Sequence, residues 1–153
     1  MTELVDLAPE ECERLLRAGV FGRLVLTTVA GRVEVLPVNY VTAGDAIWVR
    51  TTPGSLLDRY ADGAPLLLEI DHVDYGRRHG WSVVARGRGQ RLGESERSAG
   101  ERHAPGPPRW VRRDDAVWVR LPWQELSGRR TGAGWDLFAG LPVSRAAPTP
   151  DRR

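Results

Sequence analysis

Apolar residues in this chain fall into short runs separated by turn residues, and the first run has the spacing of a helix. Cys12, Leu15 and Leu16 lie at positions i, i+3 and i+4, which places them on one helix face. A proline at the start and a glycine after the end predict a helix over residues 9–18. Cys12 on the apolar face predicts a buried structural thiol rather than a nucleophile.

Six later runs are rich in β-branched and aromatic residues and are bounded by turn formers, which is typical of strands. They cover residues 20–29, 33–41, 46–55, 65–70, 81–92 and 116–121. The unbroken apolar run over 65–70 predicts a strand buried on both faces. We expect a charged loop over 71–79 and short helices over 54–61 and 94–102. Six strands with few helices favour an antiparallel barrel or sandwich over alternating β/α units.

Two other groups of residues have a structural interpretation. Gly87 and Gly89 lack the spacing and the strand-to-helix context of a dinucleotide loop, so they predict a kinked or closely packed strand. His72, Asp74 and His79 have no recognised metal-ligand spacing, so they predict a charged loop and no metal site.

The charge pattern excludes several functions. The chain has 22 basic and 20 acidic residues, for a net charge of +2, and the two signs are interleaved. No basic face stands out, so we expect no nucleic-acid partner. Every basic residue is arginine, and without lysine neither a Walker-type phosphate loop nor a Schiff base with pyridoxal phosphate can form.

Cysteine usage and hydropathy predict a soluble cytoplasmic protein. Cys12 is the one cysteine, so no intrachain disulfide forms, which fits a reducing compartment. The acidic N-terminus lacks the features of a signal peptide. No apolar run reaches the roughly 18 residues of a membrane helix, so we expect no membrane partner.

The strand over residues 33–41 has two unusual members. Alternation places Val35, Pro37, Asn39 and Val41 on one face, where Asn39 is the polar member. Pro37 cannot donate a ladder hydrogen bond, which indicates an edge strand. A free strand edge offers backbone groups to the polar rim of a flat ligand. The alternative is an ordinary edge strand with a satisfied asparagine.

The next strand ends in a compact set of anion donors. Arg50 is followed within five residues by three hydroxyl residues, Thr51, Thr52 and Ser55, and by Gly54. The guanidinium fork of arginine matches the oxygens of a phosphate, and hydroxyl and backbone donors complete such a cradle. An ordinary capped turn is the alternative interpretation of these residues.

Five short segments are informative as an ordered set: Pro37-Val38-Asn39-Tyr40, Arg50-Thr51, Gly54-Ser55, Gly80-Trp81-Ser82-Val83 and Ser127-Gly128-Arg129-Arg130. Together they resemble the pyridoxamine 5′-phosphate oxidase-like family of FMN-binding split barrels, over about residues 4–130. The resemblance implies a mainly β fold, an antiparallel, Greek-key-type split barrel with a few short helices. It also implies a homodimer that holds FMN at the subunit interface.

The resemblance divides the cofactor-binding residues into three sets. The set expected along the flavin ring and ribityl chain is Val38, Asn39 and Tyr40. The set expected around the phosphate is Arg50, Thr51, Thr52 and Ser55. The set expected beside the ring is Trp81 and Ser82, with Arg129 reaching the cofactor from the end of the barrel. No residue of these sets stands out as a catalytic acid or base.

Two departures from the family pattern limit the function that the resemblance implies. Leu56 occupies a position where many relatives carry a lysine beside the phosphate. The C-terminal Arg-x-His element of true vitamin-B6 oxidases is absent, so pyridoxine phosphate oxidation is not supported. We expect an FMN-dependent oxidoreductase with a small-molecule substrate. The alternatives are a non-catalytic protein that binds flavin, a deazaflavin coenzyme or haem, and a barrel that has lost its cofactor.

The composition changes after residue 130. Residues 1–130 are therefore predicted to form the split-barrel domain, and residues 131–153 a C-terminal extension. Its apolar residues over 135–141 are expected to dock on the barrel or on a second subunit. The Pro-rich, charged stretch over 146–153 is expected to be disordered.

Overall fold

Strands dominate the computed structural model, which describes residues 3–93, 95–96, 98 and 116–141. The helices of this part are α1 (Pro9–Ala18) and α2 (Leu56–Tyr60). Its strands are β1 (Leu4–Asp6), β2 (Phe21–Thr27), β3 (Val33–Ala43), β4 (Ala46–Thr51), β5 (Pro65–Asp74), β6 (His79–Arg88), β7 (Gln90–Arg91) and β8 (Val117–Thr131). Every pairing between them is antiparallel, so the mainly β prediction is confirmed.

Six of these strands close into a barrel. They pair in the order β8-β4-β3-β2-β5-β6, and a further pairing of β6 with β8 completes the ring. These are the six strands that the sequence pattern predicts. The added strands β1 and β7 have three and two residues, and both pair with β8.

Two long strands change partner along their length, which gives the barrel its corners. Residues 33–39 of β3 pair with β2, and residues 40–43 pair with β4. In β8, residues 117–122 pair with β4, and the pairing with β6 extends from Trp123 to Arg130. The strand predicted over 116–121 is therefore only the first third of β8.

The loop predicted over residues 71–79 is wrong, because β5 continues to Asp74 and β6 begins at His79. The charged residues of this stretch lie on the outer side of the sheet, where they do not interrupt the ladder. Asp74 closes the turn by accepting a hydrogen bond from the Arg77 amide at 3.0 Å. Arg78 takes the left-handed conformation that the turn requires, with φ at 55°.

The start of β5 also differs from the prediction of a strand buried on both faces. Leu66, Leu68 and Ile70 are buried in the barrel, whereas Pro65 is exposed and Leu67 is half-buried. The run is continuous because the outer residues are apolar too, so the sequence pattern hides a strand that buries alternate side chains.

Helix α1 has the predicted bounds and covers the barrel with its predicted apolar face. Cys12, Leu15 and Leu16 are at most 1% exposed. Burial raises the pKa of the Cys12 thiol, which agrees with a structural role. The Tyr40 hydroxyl donates to the Leu16 carbonyl at 2.7 Å and so satisfies one of the carbonyls at the end of α1.

We expect Tyr40→Phe to lower the free energy of unfolding by about 1–3 kcal/mol, because the buried Leu16 carbonyl loses this donor. Urea denaturation followed by circular dichroism measures the effect. A loss below about 0.5 kcal/mol would contradict a structural role for this hydroxyl.

Candidate functional site

The edge of β3 is open along the first part of the strand. Among the described strands, β2 alone pairs with residues 33–39, and β4 joins only at Tyr40. Pro37 lies in this open stretch, so its missing N–H leaves no gap in a second ladder. The edge-strand interpretation of Pro37 is therefore confirmed. The open edge leaves backbone groups that can pair with the polar rim of a flat ligand.

Side chains along this edge divide into an outer and an inner set. Val35, Pro37 and Asn39 are exposed, and Val38 is half-buried against the core. The expectation that Val41 shares the outer face is wrong, since it is 3% exposed. Tyr40 and Val41 are both buried because the alternation breaks where β3 changes partner. The Tyr40 ring therefore lies in the core and does not line a surface site, although its backbone lies at this edge.

The residues predicted to hold a phosphate lie together at the exit of β4. The hydroxyls of Thr51 and Ser55 are 2.7 Å apart, and Thr52 is exposed beside them. The Arg50 guanidinium carbon lies 5.3 Å from the centre of the Trp118 ring, a cation–π contact that holds the side chain against the barrel. The structure thus brings the predicted phosphate set into one loop.

Asp58, which the sequence analysis does not single out, occupies the donors of this loop. Its carboxylate accepts the Gly54 N–H at 2.8 Å and pairs with Arg91 at 2.6 Å. The Ser55 hydroxyl in turn accepts the Asp58 N–H at 3.2 Å. The bond from Arg91, aided by the one from Gly54, lowers the pKa of Asp58, so this carboxylate is ionised near neutral pH. A Ser-x-x-Asp pattern at a helix start is the signal that could have identified it.

The third predicted set lies on strands β6 and β8. Ser82 and Arg129 are directly opposite each other in the ladder. Arg129 is exposed, and its nearest described carboxylate partner is the equally exposed Asp6, at 3.4 Å. Both residues border an open groove of about 500 Å³, whose other lining residues include Leu4, Tyr75 and His79. The groove is a second concave surface where a planar ligand can lie.

The two groups of predicted site residues face away from each other within one chain. Strands β3 and β6 are three strand positions apart in a ring of six, so they lie on opposite sides of the barrel. Arg50 pairs with Trp118 on β8, and roughly 35 Å of strand separates Trp118 from Arg129 at 3.2–3.4 Å per residue. One chain therefore does not bring its phosphate set and its Arg129 set to one ligand.

The described residues contain no cluster of three or more His, Cys, Asp and Glu side chains that could hold a metal ion. Within the same part of the chain, no helix combines the length and the apolar character that crossing a bilayer needs.

The chain has relatives among known protein families. The sequence profile of a family described as pyridoxamine 5′-phosphate oxidase matches residues 8–130. The chain belongs to this family. The matched range includes the open β3 edge, the β4 exit loop and the Ser82–Arg129 pair. No curated protein matches the chain significantly.

Solved structures of similar fold extend this result. A FAD-binding protein from Mycobacterium smegmatis is 30% identical, with a TM-score of 0.69, and the match covers 83% of this chain and 98% of that chain. A putative pyridoxamine 5′-phosphate oxidase from Corynebacterium glutamicum is 24% identical, with 88% and 99% covered and a TM-score of 0.69. A FAD-binding protein from Mesorhizobium loti is 22% identical, with 84% and 99% covered and a TM-score of 0.65. The split-barrel prediction is confirmed.

Beyond the matched range, this pyridoxamine 5′-phosphate oxidase family member has a tail that packs on the barrel. Trp135 stacks on His79 with ring centres 4.3 Å apart, and its carbonyl accepts a bond from Arg130 at 2.8 Å. The Leu137 carbonyl accepts the indole N–H of Trp81 at 2.9 Å. Trp81 is 5% exposed as a result of its interior position, so its indole is held between barrel and tail.

Proposed function

We propose that this chain binds a flavin between the two subunits of a homodimer and works as a flavin-dependent oxidoreductase. The observation that carries the proposal is the open β3 edge with Arg50, Thr51 and Ser55 gathered at its end. The edge suits the polar rim of the flavin ring, and the loop suits its phosphate. The FAD-binding relative at 30% identity supports the same ligand class.

A second subunit explains why the predicted site residues lie on opposite sides of one barrel. In a homodimer, the open β3 edge of one protomer can meet the Ser82–Arg129 surface of its partner, so that one flavin contacts both. Large apolar side chains on the outer side of the barrel are also at least half exposed: Leu4, Phe21, Val33, Val35 and Val73. Exposed apolar surface of this kind marks protein interfaces.

A flavin in this site supplies hydride or electron transfer, and the protein binds and orients it. The sequence resemblance favours FMN, and the FAD-binding relative favours FAD. A small organic molecule is the proposed substrate, and a cytoplasmic location stays a prediction.

A non-catalytic flavin carrier is the second candidate. In the described part of the site, the one carboxylate beside the phosphate set is Asp58, which is already engaged by Arg91 and Gly54. No other described group there is suited to proton transfer near neutral pH. Reduction of the bound flavin by a nicotinamide donor separates the two candidates, since a carrier leaves the flavin oxidised.

Mixed dimers provide a direct test of a flavin shared between subunits. We expect Arg50→Ala and Arg129→Ala homodimers both to lose flavin affinity. In a mixed dimer, isolated with two affinity tags, one site carries both substitutions and the other carries neither. The expected result is half the wild-type flavin content at wild-type affinity, measured by titration of the visible spectrum.

Two results would contradict the proposal. Mixed dimers that bind no better than the variant homodimers would place each site within one chain. Wild-type protein that takes up neither FMN nor FAD at micromolar concentration would rule out the flavin itself.

A further inference from the structure

The β4 exit loop has fewer free donors than its sequence suggests. The Gly54 N–H is already bonded to the Asp58 carboxylate, and the Asp58 N–H to the Ser55 hydroxyl. Thr51 and Ser55 share one hydrogen bond, which leaves one of their two hydroxyl protons free. An incoming phosphate therefore finds Arg50, one hydroxyl of this pair and the exposed Thr52.

The charge of the loop is also low for a phosphate site. Residues 50–58 contain one cation, Arg50, and one anion, Asp58. Arg91 adds no free positive charge, because its guanidinium is paired with Asp58 at 2.6 Å. Leu56 packs against the core where a lysine would add a cation. The loop therefore offers little net positive charge to a ligand.

Flavin ligands differ in the charge that they bring to such a loop. The terminal phosphate of FMN is a monoester with a charge of about −1.5 to −2 at pH 7. The phosphate of FAD next to the ribityl chain is a diester with one charge, and a deazaflavin coenzyme also carries a diester. The more highly charged monoester is repelled more strongly by a fixed carboxylate beside it.

We propose that Asp58 is a specificity-determining residue that disfavours flavins with a terminal phosphate monoester and selects those whose phosphate is a diester. The inference rests on the proposed function, because it takes the β4 exit loop as the phosphate site. It assigns the chain a ligand class, the phosphodiester flavins, which comprises FAD and the deazaflavin coenzyme.

The substitution Asp58→Asn removes the charge and keeps an oxygen that can accept the Gly54 N–H. At about 6 Å and an effective dielectric between those of protein surface and water, each phosphate charge gains roughly a factor of ten in affinity. At pH 8, where FMN carries about two charges, we expect FMN affinity to rise about tenfold more than FAD affinity. Riboflavin, which has no phosphate, should bind unchanged.

Asp62→Asn is the matched control, because Asp62 accepts the Arg91 backbone N–H but does not contact Gly54. Fluorescence titrations of wild type and both variants with riboflavin, FMN, FAD and the deazaflavin coenzyme give the affinities. Circular dichroism at the same temperature shows that each variant is folded. Comparison of the two diester ligands on wild-type protein identifies which of them this chain takes.

The outcomes separate the inference from the proposed function. A rise in FMN affinity specific to Asp58→Asn supports it. An unchanged FMN-to-FAD ratio in that variant, or wild-type protein that binds FMN more tightly than both diesters, overturns the inference while the flavin proposal stands. Absence of binding of all four ligands to wild type overturns both.

Discussion

Replacing Gly87 with alanine is expected to destabilise the protein by about 3 kcal/mol or more. An alanine Cβ would lie 2.0 Å from the Pro122 carbonyl oxygen and 3.2 Å from a Leu121 methyl carbon. The first contact is with backbone, so no side chain can rotate to relieve it. Gly87 also lies at the irregularity where β8 passes from β4 to β6, so both ladders would have to shift. Overpacking of this kind is among the costlier single substitutions.

Thermal unfolding followed by circular dichroism measures the loss, and 3 kcal/mol corresponds to a fall in Tm of about 10 °C for a domain of this size. Gly93→Ala is the matched control, because its Cβ would meet nothing closer than a Glu96 carboxylate oxygen at 4.0 Å. We expect the control to stay within about 0.5 kcal/mol of wild type. A Gly87→Ala protein as stable as the control would contradict the close approach of β6 and β8.

The sequence interpretation of Gly87 and Gly89 as a closely packed strand is confirmed, and the reason is local. A Cβ on Gly89 would lie 2.2 Å from the Ala61 carbonyl oxygen, so both glycines mark close backbone contacts. The six ring strands were also predictable, since each buries alternate apolar residues. The partner changes of β3 and β8 were not, because they depend on pairings between residues far apart in the chain. The charged residues over 71–79 gave no sign of pairing for the same reason.

The candidate site was predictable where its residues are neighbours in sequence. Arg50, Thr51 and Ser55 follow one another along one strand and its exit loop, so their proximity needs no long-range information. The position of Tyr40 could not be foreseen, because its burial depends on the contact with α1 and on the break in alternation. The pairing of Asp58 with Arg91 joins residues 33 positions apart and left no trace in either local pattern.

Arg50→Ala is expected to weaken flavin binding by about 1.5–3 kcal/mol, the range for a hydrogen bond to a charged group. The loss corresponds to about 10- to 150-fold in Kd. Arg50 is the one cation among residues 50–58, and Asp58 already neutralises the nearby Arg91. No second free guanidinium of this loop can compensate. Titration of the visible flavin spectrum with FAD and FMN measures the change.

Arg120→Ala is the matched control for Arg50→Ala. Arg120 also lies over a tryptophan, 5.8 Å from the centre of the Trp48 ring, but its guanidinium is bonded to Gln90. We expect the control to keep wild-type flavin affinity and to lose a similar cation–π contribution to stability, about 0.5–1 kcal/mol. Arg50→Lys should fall between wild type and alanine, because it keeps the charge but not the planar fork. Equal affinities in all four proteins would mean that the phosphate lies away from the β4 exit, since a cation within reach of a buried phosphate cannot be removed without cost.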